Sequence, residues 1–125
     1  MRSFLFAGIL VLTSCASDDL EPDLGDGIEI DLSLAPFQDL KRPNTWVLHP
    51  SINLMLCNDG DVINGFSSVS PHSRCTRDWV FGPTEATCTC QGSVFGLQGQ
   101  VLRGPATENL TSFEVSRTGD ILTVR

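Results

Sequence analysis

Residues 70–93 begin with Ser70-Pro71-His72-Ser73-Arg74-Cys75 and end with Cys88-Thr89-Cys90-Gln91-Gly92-Ser93. We call these two end segments the first loop and the second loop. Cys and His side chains on two loops that each follow a strand-like segment indicate either a metal site or a disulfide clamp. Taken singly, His72 is typical of a surface loop, and a Cys-x-Cys pattern in an exported protein is typical of disulfide chemistry. The residues by themselves leave both possibilities open.

Short apolar segments on either side of the loops predict an all-β fold. Residues Ile28, Ile30, Leu32 and Leu34 alternate with polar residues, which indicates a half-buried strand. Further strands are predicted at 45–49, 52–57, 62–69, 78–81, 94–95, 100–102, 110–116 and 121–124. Turn residues separate these segments, and no segment shows sustained helical periodicity. We therefore predict a small antiparallel sandwich or barrel.

The pair of loops resembles the Rieske [2Fe-2S] iron–sulfur domain, which carries Cys-x-His, a spacer, and Cys-x-x-His. This chain has Ser70-x-His72, a spacer of 15 residues, and Cys88-x-x-Gln91. Phe66-Ser67-Ser68-Val69 resembles the strand that leads into the first loop of that family. Gly104-Pro105-Ala106 is similar to its proline loop, and 110–124 is similar to its closing hairpin. The resemblance implies a Rieske-like domain over residues 28–125.

The resemblance also implies a set of cluster ligands, and this chain departs from it. In the family two Cys hold one iron and two His hold the other. The matching cofactor-binding positions are Ser70 and Cys88 for the first iron, and His72 and Gln91 for the second. A Ser hydroxyl must lose a proton of high pKa to replace a thiolate, and a Gln amide is a neutral, poor donor. We expect the [2Fe-2S] cluster to be lost or altered.

Two other interpretations stay open. One is electron transfer by a cluster with Ser70 and Gln91 as unusual ligands. The other is a mononuclear metal site held by His72 and Cys88. Nothing in the sequence resembles a Ser/His/Asp triad, a P-loop or a pair of catalytic carboxylates, so no catalytic residue is predicted.

Besides Cys15, which lies near the N-terminus, the chain has four cysteines. The resemblance pairs two of these four. Cys75 and Cys90 match the disulfide that joins the two loops in many Rieske domains. Cys57 ends an apolar segment, so we expect a buried free thiol there. Cys88 is then a second free thiol, with a Cys57–Cys88 disulfide as the alternative.

The N-terminus predicts export. A positive start at Met1-Arg2-Ser3 and the apolar segment 4–12 indicate a signal peptide over 1–14, too short to span a bilayer. Leu12-Thr13-Ser14-Cys15 resembles the lipobox of bacterial lipoproteins, which implies a lipid on Cys15 and a membrane anchor. Ordinary cleavage after Ala16 is the alternative. The following residues resemble signals for the outer membrane or the cell surface, so we expect a bacterial cell-envelope protein.

Composition restricts the function further. The chain has 125 residues and a net charge of −7, which leaves room for one domain and argues against nucleic-acid binding. Seven acids and no base lie in residues 16–38, so we predict a lipidated acidic tether over 15–27, which we expect to be solvated. The leading hypothesis is an exported, lipid-anchored Rieske-like protein that serves as a structural or binding module for an unidentified protein partner.

Overall fold

The computed structural model describes residues 20–125. The predicted signal peptide, the lipidation at Cys15 and the first part of the tether lie outside these residues. The described part contains eleven strands and one 3-10 helix, Phe37–Lys41. The strands are β1 Ile28–Asp31, β2 Thr45–Leu48, β3 Leu54–Asn58, β4 Ile63–Ser67, β5 Trp79–Phe81, β6 Glu85–Cys88, β7 Val94–Gly96, β8 Val101–Arg103, β9 Ser112–Phe113, β10 Val115–Thr118 and β11 Ile121–Val124.

The strands form three antiparallel sheets. The terminal sheet has the order β1-β11-β10, the central sheet β2-β3-β4-β9, and the loop-bearing sheet β5-β6-β7-β8. Neighbouring strands in every sheet pair antiparallel. The prediction of an all-β antiparallel fold is confirmed.

Strand β3 explains how the layers stack. Successive side chains of a strand point to opposite faces. Leu54 and Leu56 pack into one core with residues of the terminal sheet. Met55 and Cys57 pack into a second core with residues of the loop-bearing sheet. All four side chains are fully buried, so the central sheet is covered on both faces at this strand.

Several predicted boundaries are wrong. The first strand ends at Asp31 instead of Leu34, because the Asp31 carboxylate accepts hydrogen bonds from the amide and hydroxyl of Ser33 and turns the chain. Leu34 is consequently 58% exposed. Strand β6 and the 3-10 helix were not predicted, and the predicted strand 110–116 divides into β9 and the start of β10.

Packing begins before the expected domain boundary at Ile28. Leu24 is buried in the core that the terminal sheet contributes to. The side-chain amide of Asn53 donates to the carbonyl oxygen of Leu20 at 2.8 Å. Within residues 20–27, Leu24 is the buried residue and the others are exposed or partly exposed, so this segment contacts the domain through Leu20 and Leu24 while its acidic side chains face solvent at least in part.

Within residues 20–125, no helix is long and apolar enough to cross a membrane.

Candidate functional site

The first loop leaves β4 and closes on itself. The amide of Ser70 donates to the carbonyl oxygen of Cys75 at 2.8 Å, and the amide of Arg74 donates to that of Ser70 at 2.9 Å. Arg74 has a φ of 61°, in the left-handed region that favours glycine. Because the loop satisfies its own backbone groups, its ends lie close together and its tip projects from the sheet.

The second loop connects β6 to β7 as a tight turn. The amide of Gly92 donates to the carbonyl oxygen of Cys88, and the amide of Cys88 donates to that of Ser93, both at 2.8 Å. Gly92 has a φ of 86°, which a side chain would strain. Thr89 attaches the second loop to Asp78, the residue before β5. The amide and the hydroxyl of Thr89 both donate hydrogen bonds to the carbonyl oxygen of Asp78, at 2.8 Å and 3.1 Å.

A disulfide joins the two loops. Cys75 and Cys90 are bonded, with a Cα–Cα distance of 6.6 Å, as the resemblance implies. A carboxylate oxygen of Asp78 lies 3.4 Å from the Cys90 sulfur. The sequence did not single out Asp78, whose approach to Cys90 depends on the pairing of β5 with β6.

The four aligned ligand positions divide into a buried pair and an exposed pair. Ser70 and Cys88 are each 1% exposed, whereas His72 and Gln91 are exposed at the loop tips. The hydroxyl oxygen of Ser70 has no hydrogen-bond partner. The Cys88 sulfur lies 3.8 Å from the hydroxyl of Ser73, a neighbour that the sequence did not identify.

This donor set does not fit a [2Fe-2S] cluster. At the two buried positions the family has two thiols. This chain has one thiol there, on Cys88, and the Ser70 hydroxyl, which has no hydrogen-bond partner, replaces the other. At the exposed positions this chain has one imidazole, that of His72, and the neutral amide of Gln91. A cluster needs two thiolates on one iron and two imidazoles on the other, so each iron would lack one ligand of the required type.

The structure brings a different group of potential metal ligands together. Among residues 20–125, the group of three or more potential ligands within 4.8 Å of one another is Cys75, Asp78 and Cys90. It includes neither His72 nor Cys88. Zinc sites use at least three protein ligands, so a mononuclear site built on His72 and Cys88 would need a further donor.

A third segment supports the loops from the side. The amide of Ala106 donates to the hydroxyl of Ser93 at 2.9 Å, and both residues are buried. This bond attaches the Gly104-Pro105-Ala106 segment to the end of the second loop. Next to it, a cavity of about 170 Å³ is lined by Pro71, His72, Thr107 and Glu108.

Trp79 connects the site to the core beneath it. It pairs in register with Cys88 across β5 and β6, and its indole N–H donates to the carbonyl oxygen of Ser68 at 2.9 Å. Its ring lies 5.8 Å from that of Phe95, which is fully buried in the second core. The Phe95 ring is thus a core side chain.

Cys57 and Cys88, the two other cysteines of the described part of the chain, are free and buried, so the alternative of a Cys57–Cys88 disulfide is wrong. Burial, and secondarily the charge of Asp59, raises the pKa of the Cys57 thiol to about 12. The Cys57 thiol faces the carbonyl oxygen of Leu97 at 3.7 Å. A thiol with so high a pKa stays protonated near neutral pH.

Sequence relatives carry the name of an iron–sulfur subunit. The cytochrome b6-f complex iron-sulfur subunit of a Synechococcus strain is 30% identical over 98 residues, which is 78% of this chain and 57% of that protein. The subunit of the same name from Prochlorococcus marinus is 30% identical over 73 residues, covering 57% of this chain and 41% of that protein. The chain thus spans about half the length of the curated relatives it matches. No protein-family profile matches it.

Solved structures share the fold. The ferredoxin of carbazole 1,9a-dioxygenase from Nocardioides aromaticivorans superposes with a TM-score of 0.59 at 19% identity, covering 78% of this chain and 95% of that one. The plasma membrane Rieske protein of Synechocystis gives a TM-score of 0.53 at 20% identity, covering 64% and 83%. A chain of a hyperthermophilic respiratory Complex III gives 0.57 at 22% identity, covering 93% and 90%. The sequence matches and the shared fold together support a Rieske-type domain in this chain.

Proposed function

We propose that this protein is a Rieske-fold module without a [2Fe-2S] cluster, exported and lipid-anchored, which acts by binding a partner protein and not by electron transfer. The observation that supports this most is the buried, unpartnered hydroxyl of Ser70 at a position where the family has a thiolate.

The burial of Ser70 makes the substitution severe. To ligate iron as a thiolate does, the hydroxyl would have to become an alkoxide in a site from which water is excluded. An alkoxide is also a harder donor than the thiolate that a cluster of this type uses. Gln91 adds a second loss, because its exposed amide is neutral and offers no imidazole-like lone pair. Each iron is affected by a different substitution, so neither change compensates for the other.

The test compares the parent with Ser70→Cys, Gln91→His and the double variant after identical anaerobic reconstitution. Iron content and electron paramagnetic resonance of the reduced protein are the measurements. We expect the parent and both single variants to stay free of cluster, and the double variant to gain one, with a reduction potential of roughly −150 to +300 mV. A parent that carries a full cluster would overturn the proposal in favour of electron transfer with unusual ligands.

The proposed anchor would keep the loops near a membrane. Four residues lie between Cys15 and Leu20, and the five residue steps reach at most roughly 18 Å when extended. The carbonyl oxygen of Leu20 accepts a hydrogen bond from the side chain of Asn53. The carbonyl oxygen of Asn53 in turn accepts one from the amide of Ser68 at 3.0 Å. Ser68 lies two residues before the first loop. Cys15→Ser is expected to move the protein from the membrane to the soluble fraction. Membrane retention equal to that of the parent would contradict the lipid anchor.

The exposed tips of the two loops form the proposed binding surface. A photo-crosslinking amino acid at Gln91 should give a defined adduct in cell envelopes. The same group at Thr118, an exposed residue of the terminal sheet, is the matched control, because the central sheet separates it from the loop-bearing sheet. Adducts of equal yield from both positions would show that the loops are not the binding surface.

A further inference from the structure

A second set of potential ligands lies outside the aligned cluster positions. The sulfurs of Cys75 and Cys90 and a carboxylate oxygen of Asp78 all lie within 4.8 Å of one another. A carboxylate oxygen of Asp78 lies 3.4 Å from the Cys90 sulfur. In the structure the two sulfurs are bonded to each other.

The backbone holds this group together independently of the disulfide. The carbonyl oxygen of Asp78 accepts two hydrogen bonds from Thr89, the residue before Cys90. The next residue, Trp79, pairs in register with Cys88. Asp78 and Cys90 therefore stay adjacent when the S–S bond is opened, and Cys75 is only three residues before Asp78 in the chain.

We propose that reduction converts this disulfide clamp into a binding site for one thiophilic divalent cation of the Zn²⁺ type. A dithiol reductant gives two electrons and two protons to the S–S bond and becomes a disulfide itself, which leaves Cys75 and Cys90 as thiols. The cation then displaces both thiol protons to solvent and binds the two thiolates and the Asp78 carboxylate. Water fills the fourth position of the tetrahedron.

The geometry and the donor chemistry agree with such a cation. Zn–S bonds of about 2.3 Å place two thiolates roughly 3.8 Å apart, and a Cα–Cα distance of 6.6 Å permits this by side-chain rotation. Two thiolates select Zn²⁺ over Ca²⁺ or Mg²⁺, which prefer oxygen ligands. The bound cation would keep the two loops joined under reducing conditions, so the clamp would have an oxidised, covalent form and a reduced, metal-bound form.

The test uses the full chain, oxidised or reduced with dithiothreitol that is then removed anaerobically. Co²⁺ is the probe, because thiolate ligation gives it a charge-transfer absorption, and Zn²⁺ is then used to displace it. We expect one equivalent of Co²⁺ to bind the reduced protein and none to bind the oxidised protein. Equal binding by both forms, or no binding by the reduced form, would overturn the proposal.

Variants identify the ligands. Asp78→Asn should weaken binding by roughly tenfold or more, whereas Asp61→Asn, a matched change of another exposed carboxylate, should leave it unchanged. Cys90→Ser should abolish the charge-transfer band, and Cys88→Ser should retain it. The reverse result for the two cysteines would place the metal at the aligned ligand positions instead. Neither result depends on whether the parent holds an iron–sulfur cluster.

Discussion

Replacing both Cys75 and Cys90 by Ser should destabilise the protein mainly through its unfolded state. The bond links residues separated by 15 positions, and a loop of that length is worth about 3 kcal/mol in the chain-entropy model. The folded loops keep their own hydrogen bonds, including that of Ser70 with Cys75 and that of Cys88 with Ser93. The native fold should therefore persist, and we expect a loss of about 3 kcal/mol in the free energy of unfolding.

Equilibrium unfolding in urea provides the measurement. Trp46 and Trp79 contribute to the second core, so their fluorescence reports its loss. For a domain of about 100 residues, the expected loss corresponds to a decrease in Tm of roughly 12–24 °C. A chelator is kept in the buffer so that no cation takes over the clamp.

The parent reduced with dithiothreitol is the matched control, because its sequence is unchanged and it should lose the same stability as the double variant. A loss below about 1 kcal/mol in both would refute the reasoning, since it would mean that the disulfide barely restricts the unfolded chain. A loss in the variant alone would assign the effect to the Ser side chains.

Three further substitutions test individual contacts. Gly99→Ala should lower the free energy of unfolding by about 1–3 kcal/mol, measured by urea unfolding, because Gly99 has a φ of 79° and an added Cβ would lie 2.6 Å from a ring carbon of Phe66. Ser70→Ala should leave stability unchanged or raise it in the same assay, since it removes a buried hydroxyl that has no partner; a clear loss would mean that the hydroxyl is paired in solution. Asp59→Asn should destabilise at pH 7 and much less in acid. Hydrogen bonding, first from the amide of Val62, lowers the pKa of Asp59 in the folded state. The contribution of the Asp59 carboxylate to the free energy of unfolding is therefore present above the unfolded pKa of about 3.9 and is lost as pH falls through the lower folded value. Urea unfolding of parent and variant from pH 7 to pH 3 measures this, and a difference that grows in acid would contradict it.

Strands with large apolar residues could be predicted, and strands without them could not. Residues 28–31 show period-two alternation and form β1 as expected. Strand β6 has the same alternation of exposed and buried positions, but its inward side chains are Ala86 and Cys88. Neither is a strong strand signal, and the strand forms because β5 and β7 pair with it on both sides.

Some features of the candidate site could likewise be predicted from the sequence, and others could not. The order of the two loops and the loss of ligand types at Ser70 and Gln91 could be recognised from the sequence. The approach of Ser73 to Cys88 and of Asp78 to Cys90 could not. These contacts join residues 12 to 15 positions apart, and they depend on the register between β5 and β6 and on the closing of the first loop.

The donor types of this protein follow from its sequence alone, because a hydroxyl, an amide, a thiol and an imidazole are chemically distinct groups in any fold. The sequence also determined the all-β class, since period-two patterns and frequent turn residues favour short strands. Which of those donors are buried and which face solvent depends on the tertiary structure. Burial follows from how the sheets stack, and it leaves the Ser70 hydroxyl without a protein hydrogen-bond partner while His72 and Gln91 stay exposed. The tertiary structure likewise decided that a carboxylate lies beside the disulfide, because strand pairing brings together side chains that are distant in the chain.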